Sequence, residues 1–128
     1  MPALKPTAED ALLIQHILDT ITIALHHKQL KIGITDVTKS IFNGSAELVI
    51  LAADAYPPHL VRNLSVVAEN HGIPHVFLPS KIAMGNACHL NNRAVIAVSI
   101  TANLASPLHP RIRALLQEVE RLAREQHR

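Results

Sequence analysis

Residues 47–53, ELVILAA, form the segment that most restricts how this chain can fold. Successive residues of a β-strand face opposite sides of its sheet, so a strand that is apolar at almost every position must be covered on both faces. The segment RAVIAVSI at 93–100 has the same character, and HVFL at 75–78 is a shorter example. The chain therefore needs helices on both sides of a small sheet.

The segments around these strands carry apolar residues at helical spacing. Helices are predicted over 8–27, over 35–43, from Pro57 and Pro58 to Gly72, over 81–90, and over the stretch from Ile112 to Leu122. Alternating helices and strands predict an α/β fold, a three-layer α/β/α sandwich around a small mixed sheet. We expect one domain over residues 1–128, with residues 1–6 as a flexible tail.

Several helix ends have recognisable signals. Thr7 followed by Asp10 resembles a capping box, and Gly44 is expected to end the helix over 35–43. Ser80 is placed to cap the helix over 81–90. Loops that follow the strands of such a sheet gather at one edge, where these folds usually place their sites.

The composition limits the classes of partner and compartment. Hydrophobic residues make up 48% of the chain, and the net charge of +2 is a mild basic bias that suits an anionic partner without requiring one. A single cysteine cannot form an internal disulfide, so a reducing compartment is expected. No secretory signal and no apolar run of about 20 residues are present, so no membrane partner is predicted.

Catalytic and metal chemistry have little support in the sequence. The histidines and the single cysteine lack the spacing of a zinc site, and no metal or cofactor is predicted. Cys88 lies in an apolar helical pattern, as buried structural cysteines do. Asp54 follows a strand and could serve a small α/β enzyme together with His59, but a turn residue that caps the next helix is the favoured interpretation.

The stretch KIGITDVTKS at 31–40 points to nucleic acid. Thr35, Asp36 and Lys39 lie on one side of a predicted helix, and Gly33 allows a close backbone approach. A helix N-terminus offers free N–H groups, a carboxylate can accept from base amino groups, and a lysine neutralises phosphate. A purely structural alternative explains the same residues, with Thr35 as N-cap and Lys39 solvated. The chain has too few aromatic residues for a base-stacking platform.

Three longer segments resemble the kink-turn RNA-binding family of ribosomal and small-ribonucleoprotein core proteins. They are GITDVTKSI, LVILAADAYPPHLVRNL and AENHGIPHVFLPSKIAMGNACHLNNRAVIAVSI, and the resemblance covers residues 8–125. The phrases KQLKIG and GNACHLNNRAVIAVSI are most similar to the eukaryotic core protein of box C/D small nucleolar and spliceosomal particles. The resemblance implies an α/β/α sandwich that grips a sharply bent RNA containing tandem sheared G·A pairs.

The resemblance also implies which residues contact that RNA. They come from the 31–40 stretch, the loop after the first long strand, the Ser-Lys pair and the loop before the last strand. The expected RNA-binding residues are Lys31, Gly33, Ile34, Thr35, Asp36, Lys39, Tyr56, Leu60, Lys81, Leu90, Asn91, Asn92 and Arg93.

This chain departs from the family pattern at the centre of the implied site. Thr35 replaces an Asn, and Asp36 replaces a Glu that is one methylene longer. Ile32 stands where the box C/D relatives usually carry a basic residue, and Tyr56 stands where they usually carry an acidic one. Tyr56 could instead stack on an extruded base.

The implied function is a non-enzymatic core protein, monomeric when free, that stabilises kink-turn RNA. Its expected partners are box C/D small nucleolar RNA, spliceosomal small nuclear RNA and other particle proteins, including a methyltransferase subunit. The expected roles are ribosomal RNA 2′-O-methylation and processing, ribosome biogenesis and mRNA splicing, in the nucleus and nucleolus. Alternatives are a large-subunit ribosomal protein, an H/ACA core protein, or the enzyme that would use Asp54.

Overall fold

A computed structural model describes the backbone of residues 8–126 and the side chains of residues 11–121 and 124. Five helices and four strands follow one another in the described chain. They are α1 (Ala8–His26), β1 (Leu30–Ile32), α2 (Ile34–Phe42), β2 (Ala46–Ala52), α3 (His59–Asn70), β3 (His75–Leu78), α4 (Lys81–Ala87), β4 (Ala97–Thr101) and α5 (His109–Gln126).

The four strands form one mixed sheet in the order β1-β4-β2-β3. Strand β4 is antiparallel to both of its neighbours, whereas β2 and β3 run parallel. Val98 of β4 lies opposite Ile32 of β1 and opposite Ile50 of β2, and Ala52 of β2 lies opposite Leu78 of β3. The predicted small mixed sheet is therefore confirmed.

Helices cover both faces of the sheet. Helices α2 and α3 pack against each other and against β2, while α1 contacts α4, α5 and β1, and α5 contacts β3. Every residue of β2 from Leu48 to Ala52 is buried, which requires cover on both sides. This confirms the predicted α/β/α sandwich.

The core consists mainly of aliphatic side chains, as the scarcity of aromatic residues requires. Its largest fully buried members come from all three layers: Ile17, Ile21, Ile41, Leu48, Ile50, Leu51, Leu78, Met84, Ile100, Leu108 and Ile112. Burying such a side chain stabilises the fold by about 1.5–3 kcal/mol before the entropy of ordering the chain is subtracted.

Two strand predictions were incomplete. The three-residue strand β1 was missed, because its pairing with β4 is a long-range interaction that leaves little periodicity in so short a segment. The strand predicted over 93–100 begins only at Ala97. Val95 donates its N–H to the carbonyl oxygen of Lys81 at 3.0 Å, so the chain at this residue is held by α4.

Most predicted helix ends lie within a few residues of the observed ones. Ser80 is the N-cap of α4, where its Oγ accepts the N–H of Ala83 at 3.0 Å. Pro58 is the N-cap of α3. Asn43 is the C-cap of α2, and Gly44 follows it with a φ of 78°. The predicted tail and the capping box at Thr7 lie outside the described residues.

Candidate nucleic-acid interface

The strand directions bring four connecting segments to the same edge of the sheet. Strands β1, β2 and β3 end at this edge and β4 begins there, because β4 is antiparallel to its neighbours. Backbone hydrogen bonds join the segments: Gly33 to Ala97, Ala52 to Ile96, Ala53 to Leu78, and Val95 to Lys81, at 2.8–3.0 Å. The predicted RNA-binding residues lie in or next to these segments, except Lys39, which lies in the last turn of α2.

Gly33 begins α2 at this edge. Its N–H donates to the carbonyl oxygen of Ala97 at 2.9 Å, and its own carbonyl oxygen accepts the N–H of Val37 at 3.0 Å. Its φ of 95° favours glycine over any residue with a Cβ. The N–H groups of Ile34, Thr35 and Asp36 precede the first intrahelical donor, so they have no partner within the helix.

Thr35 is not the N-cap of α2, which corrects the structural alternative considered for it. Gly33 is the N-cap, and within the described residues no side chain caps this helix. Thr35, Asp36 and Lys39 are all exposed on α2, with Asp36 in the first turn and Lys39 in the last. The three side chains that were predicted to lie on one side of a helix are thus accessible to a ligand.

The residues around Thr35 and Asp36 differ in accessibility. Ile34 is half-buried and packs against the core. Lys31 is exposed in the middle of β1, between the half-buried Leu30 and Ile32.

Asp54 anchors the loop between β2 and α3 to the start of α4. Its Oδ1 accepts the backbone N–H of Lys81 at 2.9 Å. The prediction that Asp54 caps the next helix was therefore wrong: its carboxylate accepts the first N–H of α4, not one of α3. In the same region Tyr56 is 84% exposed, and Leu60 and Lys81 are half-buried.

The loop between α4 and β4 presents the remaining predicted residues. Leu90 is half-buried against the core, whereas Asn91, Asn92 and Arg93 are exposed. Asn91 and Asn92 have φ values of 40° and 64°, in the left-handed region that Asn tolerates better than most residues.

Two residues of α4 that hold this loop were not singled out in the sequence. Gly85 lies so close to the loop that a Cβ there would fall 1.6 Å from the carbonyl oxygen of Arg93. Asn86 accepts the N–H of Asn92 at its Oδ1, at 2.8 Å. Glycine is unfavourable inside a helix, so its presence in KIAMGNA was a usable signal of a close contact. Nothing local marks Asn86, because its partner lies in the loop.

The electrostatics of this edge suit an anionic ligand that also carries hydrogen-bond donors. Lys31, Lys39 and Arg93 are exposed cations, and Asp36 is an exposed carboxylate among the free N–H groups of α2. Cations and the helix N-terminus attract phosphate, while a carboxylate accepts from base amino groups.

The described residues give no support to a metal site, a reactive nucleophile or a membrane-spanning helix. Among the described side chains, those of residues 11–121 and 124, no three His, Cys, Asp or Glu are grouped closely enough to hold a metal ion. Cys88 is buried as predicted, and burial raises the pKa of its thiol to about 11, which disfavours the reactive thiolate. None of the described helices is long and apolar enough to cross a membrane.

Comparison with known families explains this arrangement. The sequence pattern of the ribosomal protein L7Ae/L30e/S12e/Gadd45 family matches residues 15–108, which include every predicted site residue. The chain belongs to this family. The resemblance noted in the sequence is confirmed at the level of the family.

Several family members are similar to the chain over most of its length. A 13 kDa ribonucleoprotein-associated protein of Yarrowia lipolytica is 42% identical over 113 residues, which are 88% of this chain and 89% of the relative. NHP2-like protein 1 of Xenopus tropicalis is 39% identical over 124 residues, 94% of this chain and 96% of the relative.

A solved structure shows the same fold. The Giardia lamblia 15.5kD RNA binding protein superimposes with a TM-score of 0.80 at 33% identity, and the match covers 87% of this chain and 90% of that one. The names of these relatives describe ribonucleoprotein-associated and RNA-binding proteins. They favour a non-enzymatic family member over the enzyme that would use Asp54.

Proposed function

We propose that this protein is an RNA-binding core protein of a small ribonucleoprotein particle and that it stabilises a kink-turn at the edge where α2 begins. The observation that carries the proposal is the convergence of four segments at this edge, together with the N–H groups after Gly33 that have no partner within α2. The ribonucleoprotein-associated name of the Yarrowia lipolytica relative supports the assignment to a ribonucleoprotein particle.

The expected recognition divides between base contacts and phosphate contacts. Backbone N–H groups at the start of α2 and the carboxylate of Asp36 face the guanines of the sheared pairs. Lys31, Lys39, Lys81 and Arg93 are expected to neutralise phosphates where the RNA strands converge. Because the bend brings phosphates close together, a cluster of cations stabilises the kinked state more than the extended one.

The loop from Leu90 to Arg93 is expected to pack against the bulged nucleotides on one side of the kink. The exposed ring of Tyr56, in the loop after β2, is available to a base. A stacked base is worth about 1–3 kcal/mol. Such stacking would offset part of what the substitutions at Thr35 and Asp36 remove.

Thr35 and Asp36 are expected to weaken the central contacts relative to Asn and Glu. A hydroxyl provides one donor where an amide provides two donors and a separate acceptor. A carboxylate that is one methylene shorter reaches less far, and losing one charged hydrogen bond costs about 1.5–3 kcal/mol. The proposed specificity for kink-turns therefore depends more on the surrounding loops than it does in a family member with Asn and Glu.

The biological setting that we propose is the box C/D small nucleolar particle, with a second role in the spliceosomal particle. In this setting the protein serves ribosomal RNA 2′-O-methylation and processing, and a methyltransferase subunit supplies the catalysis. A protein of such particles is expected in the nucleus and nucleolus. The H/ACA particle and the ribosome are the alternatives, and the class of RNA recovered with the tagged protein separates the three.

The direct test is a titration of the purified protein into two RNAs at physiological salt. One RNA contains a kink-turn with tandem sheared G·A pairs, and the other has these pairs replaced by Watson–Crick pairs. We expect a preference of about a thousand-fold, within the usual range between specific and non-specific sites. Equally weak binding to both RNAs would contradict the proposed function.

A further inference from the structure

The loop between α4 and β4 adopts a conformation that its backbone does not favour intrinsically. Three non-glycine residues in this short segment, His89, Asn91 and Asn92, have φ values of 59°, 40° and 64°. Left-handed conformations are unfavourable for residues with a Cβ, so several in succession persist only where the surroundings hold them. The contacts that hold this loop therefore determine whether it is ready to bind.

Those contacts come mainly from two adjacent residues of α4. The carbonyl oxygen of Gly85 accepts the N–H of Leu90 at 3.0 Å, and the missing side chain of Gly85 leaves room for the carbonyl group of Arg93. Next to it, Oδ1 of Asn86 accepts the N–H of Asn92 at 2.8 Å. The bond from Asn86 is thus a side-chain contact to Asn92, one of the four loop residues expected to contact RNA.

The same helix is fixed at its other end to the rest of the candidate interface. Asp54 accepts the N–H of Lys81, and the carbonyl oxygen of Lys81 accepts the N–H of Val95. The start of α4 is thus tied to the loop after β2, and its end holds the loop before β4. A change at Asn86 acts on that second loop without removing any cation or any group of α2.

We infer that Asn86 is a positioning residue that holds the loop from Leu90 to Arg93 in its RNA-binding conformation before RNA arrives. The inference rests on the proposed function, because it assigns to the loop the role of an RNA contact. Its physical basis is preorganisation. When only a fraction of the molecules has the competent loop, the apparent Kd rises in inverse proportion to that fraction.

The expected size of the effect follows from the strength of one exposed hydrogen bond. A neutral hydrogen bond contributes about 0.5–1.5 kcal/mol, which corresponds to a population change of about 2- to 12-fold. Asn86→Ala should therefore weaken kink-turn binding by about 2- to 12-fold. The dependence of affinity on salt should stay unchanged, because no phosphate contact is removed.

The experiment compares the wild type with Asn86→Ala, Asn86→Asp and Asn70→Ala. Asn86→Asp keeps an acceptor for the N–H of Asn92, and Asn70→Ala removes an exposed Asn at the far end of α3, away from the candidate interface. Affinities are measured well below the thermal unfolding midpoint of every variant, so that a loss of global stability does not reduce binding. Hydrogen exchange at the Asn92 amide is measured by NMR in the free protein, without RNA.

The expected result has three parts. Asn86→Ala binds RNA more weakly and its Asn92 amide exchanges about 2- to 12-fold faster. Asn86→Asp keeps the slow exchange and, at raised salt where its added charge is screened, binds more tightly than Asn86→Ala. Asn70→Ala behaves as the wild type in both measurements.

Either of two results would overturn the inference: an unchanged exchange rate in Asn86→Ala, or faster exchange with unchanged affinity. A wild-type protein that binds no kink-turn RNA would contradict the proposed function itself. The exchange measurement needs no RNA, so it still reports whether Asn86 holds the loop, and the two failures remain distinguishable.

Discussion

Oδ1 of Asp54 and the backbone N–H of Lys81 form a 2.9 Å hydrogen bond between residues 27 positions apart in the chain. This bond joins the loop after β2 to the first residue of α4, and so connects two of the four segments at the candidate interface. It also occupies an oxygen of the carboxylate that the enzyme alternative would have used.

Asp54→Ala should lower the free energy of unfolding by about 1 kcal/mol, because the first N–H of α4 loses its acceptor. Asp54→Asn retains a side-chain oxygen and should lose less. Chemical denaturation of the three proteins measures the difference. Equal stability of wild type and Asp54→Ala would show that the bond contributes nothing.

Lys39→Ala should weaken RNA binding and reduce the slope of log Kd against log salt by about one unit, since one phosphate contact is removed. Arg113→Ala is the matched control, because Arg113 is an exposed cation on α5, outside the candidate interface. Titrations at several salt concentrations provide both slopes. A slope that is the same in Lys39→Ala and in the wild type would refute the phosphate contact.

The double variant Thr35→Asn with Asp36→Glu should bind a standard kink-turn more tightly than the wild type. Restoring one charged hydrogen bond is worth about 1.5–3 kcal/mol, or roughly ten- to a hundred-fold in Kd. The single variants should show which position carries the gain. If the double variant binds no better, the explanation of the two departures is wrong.

Tyr56→Ala should lose the stacking contribution of about 1–3 kcal/mol if the exposed ring meets a base, whereas Tyr56→Phe should bind nearly as the wild type does. Fluorescence of Tyr56, the single tyrosine of the chain, offers a second signal, since stacking on a base quenches it. Wild-type affinity in Tyr56→Ala would exclude this contact.

Cys88 should make the protein less stable at high pH. Burial raises the pKa of its thiol from 9.0 to about 11, so between these values the unfolded chain loses the proton while the folded chain keeps it. The unfolded state then binds fewer protons, and stability falls as pH rises, by on the order of 2–3 kcal/mol in total.

The measurement compares the stability of the wild type and Cys88→Ala at pH 8 and pH 10.5, because other groups also titrate in this range. The wild type should lose more stability than the variant does. At pH 8 the native thiol should also react with iodoacetamide far more slowly than it does in denaturant. An equal loss of stability in both proteins would contradict the role of Cys88.

The layered architecture could be predicted from the sequence. Apolar residues at every position of β2 except Glu47 demand cover on both faces, and helical spacing of apolar residues before and after it shows what provides that cover. These patterns are local, so they can be recognised without knowing which other elements the strand or helix packs against. The same holds for Ser80, whose capping interaction reaches only to Ala83.

The 31–40 stretch could also be predicted as a candidate site, because Gly33, Asp36 and Lys39 lie in one short segment and the binding chemistry of each follows from its residue type. The residue that caps the helix could not be predicted correctly. Thr35 has the chemistry of an N-cap, yet the bond from Gly33 to Ala97 in β4 sets the helix start before it.

The way in which the separate segments of the interface are joined could not be predicted from local patterns. The short strand β1, the bond from Asp54 to α4, and the contacts of Gly85 and Asn86 with the last loop all involve partners distant in sequence or outside any periodic element. Periodicity reports which face of an element is buried, but it carries no information about which remote backbone group a side chain will meet. That pairing arises only when the sheet order brings the ends of the strands to one edge.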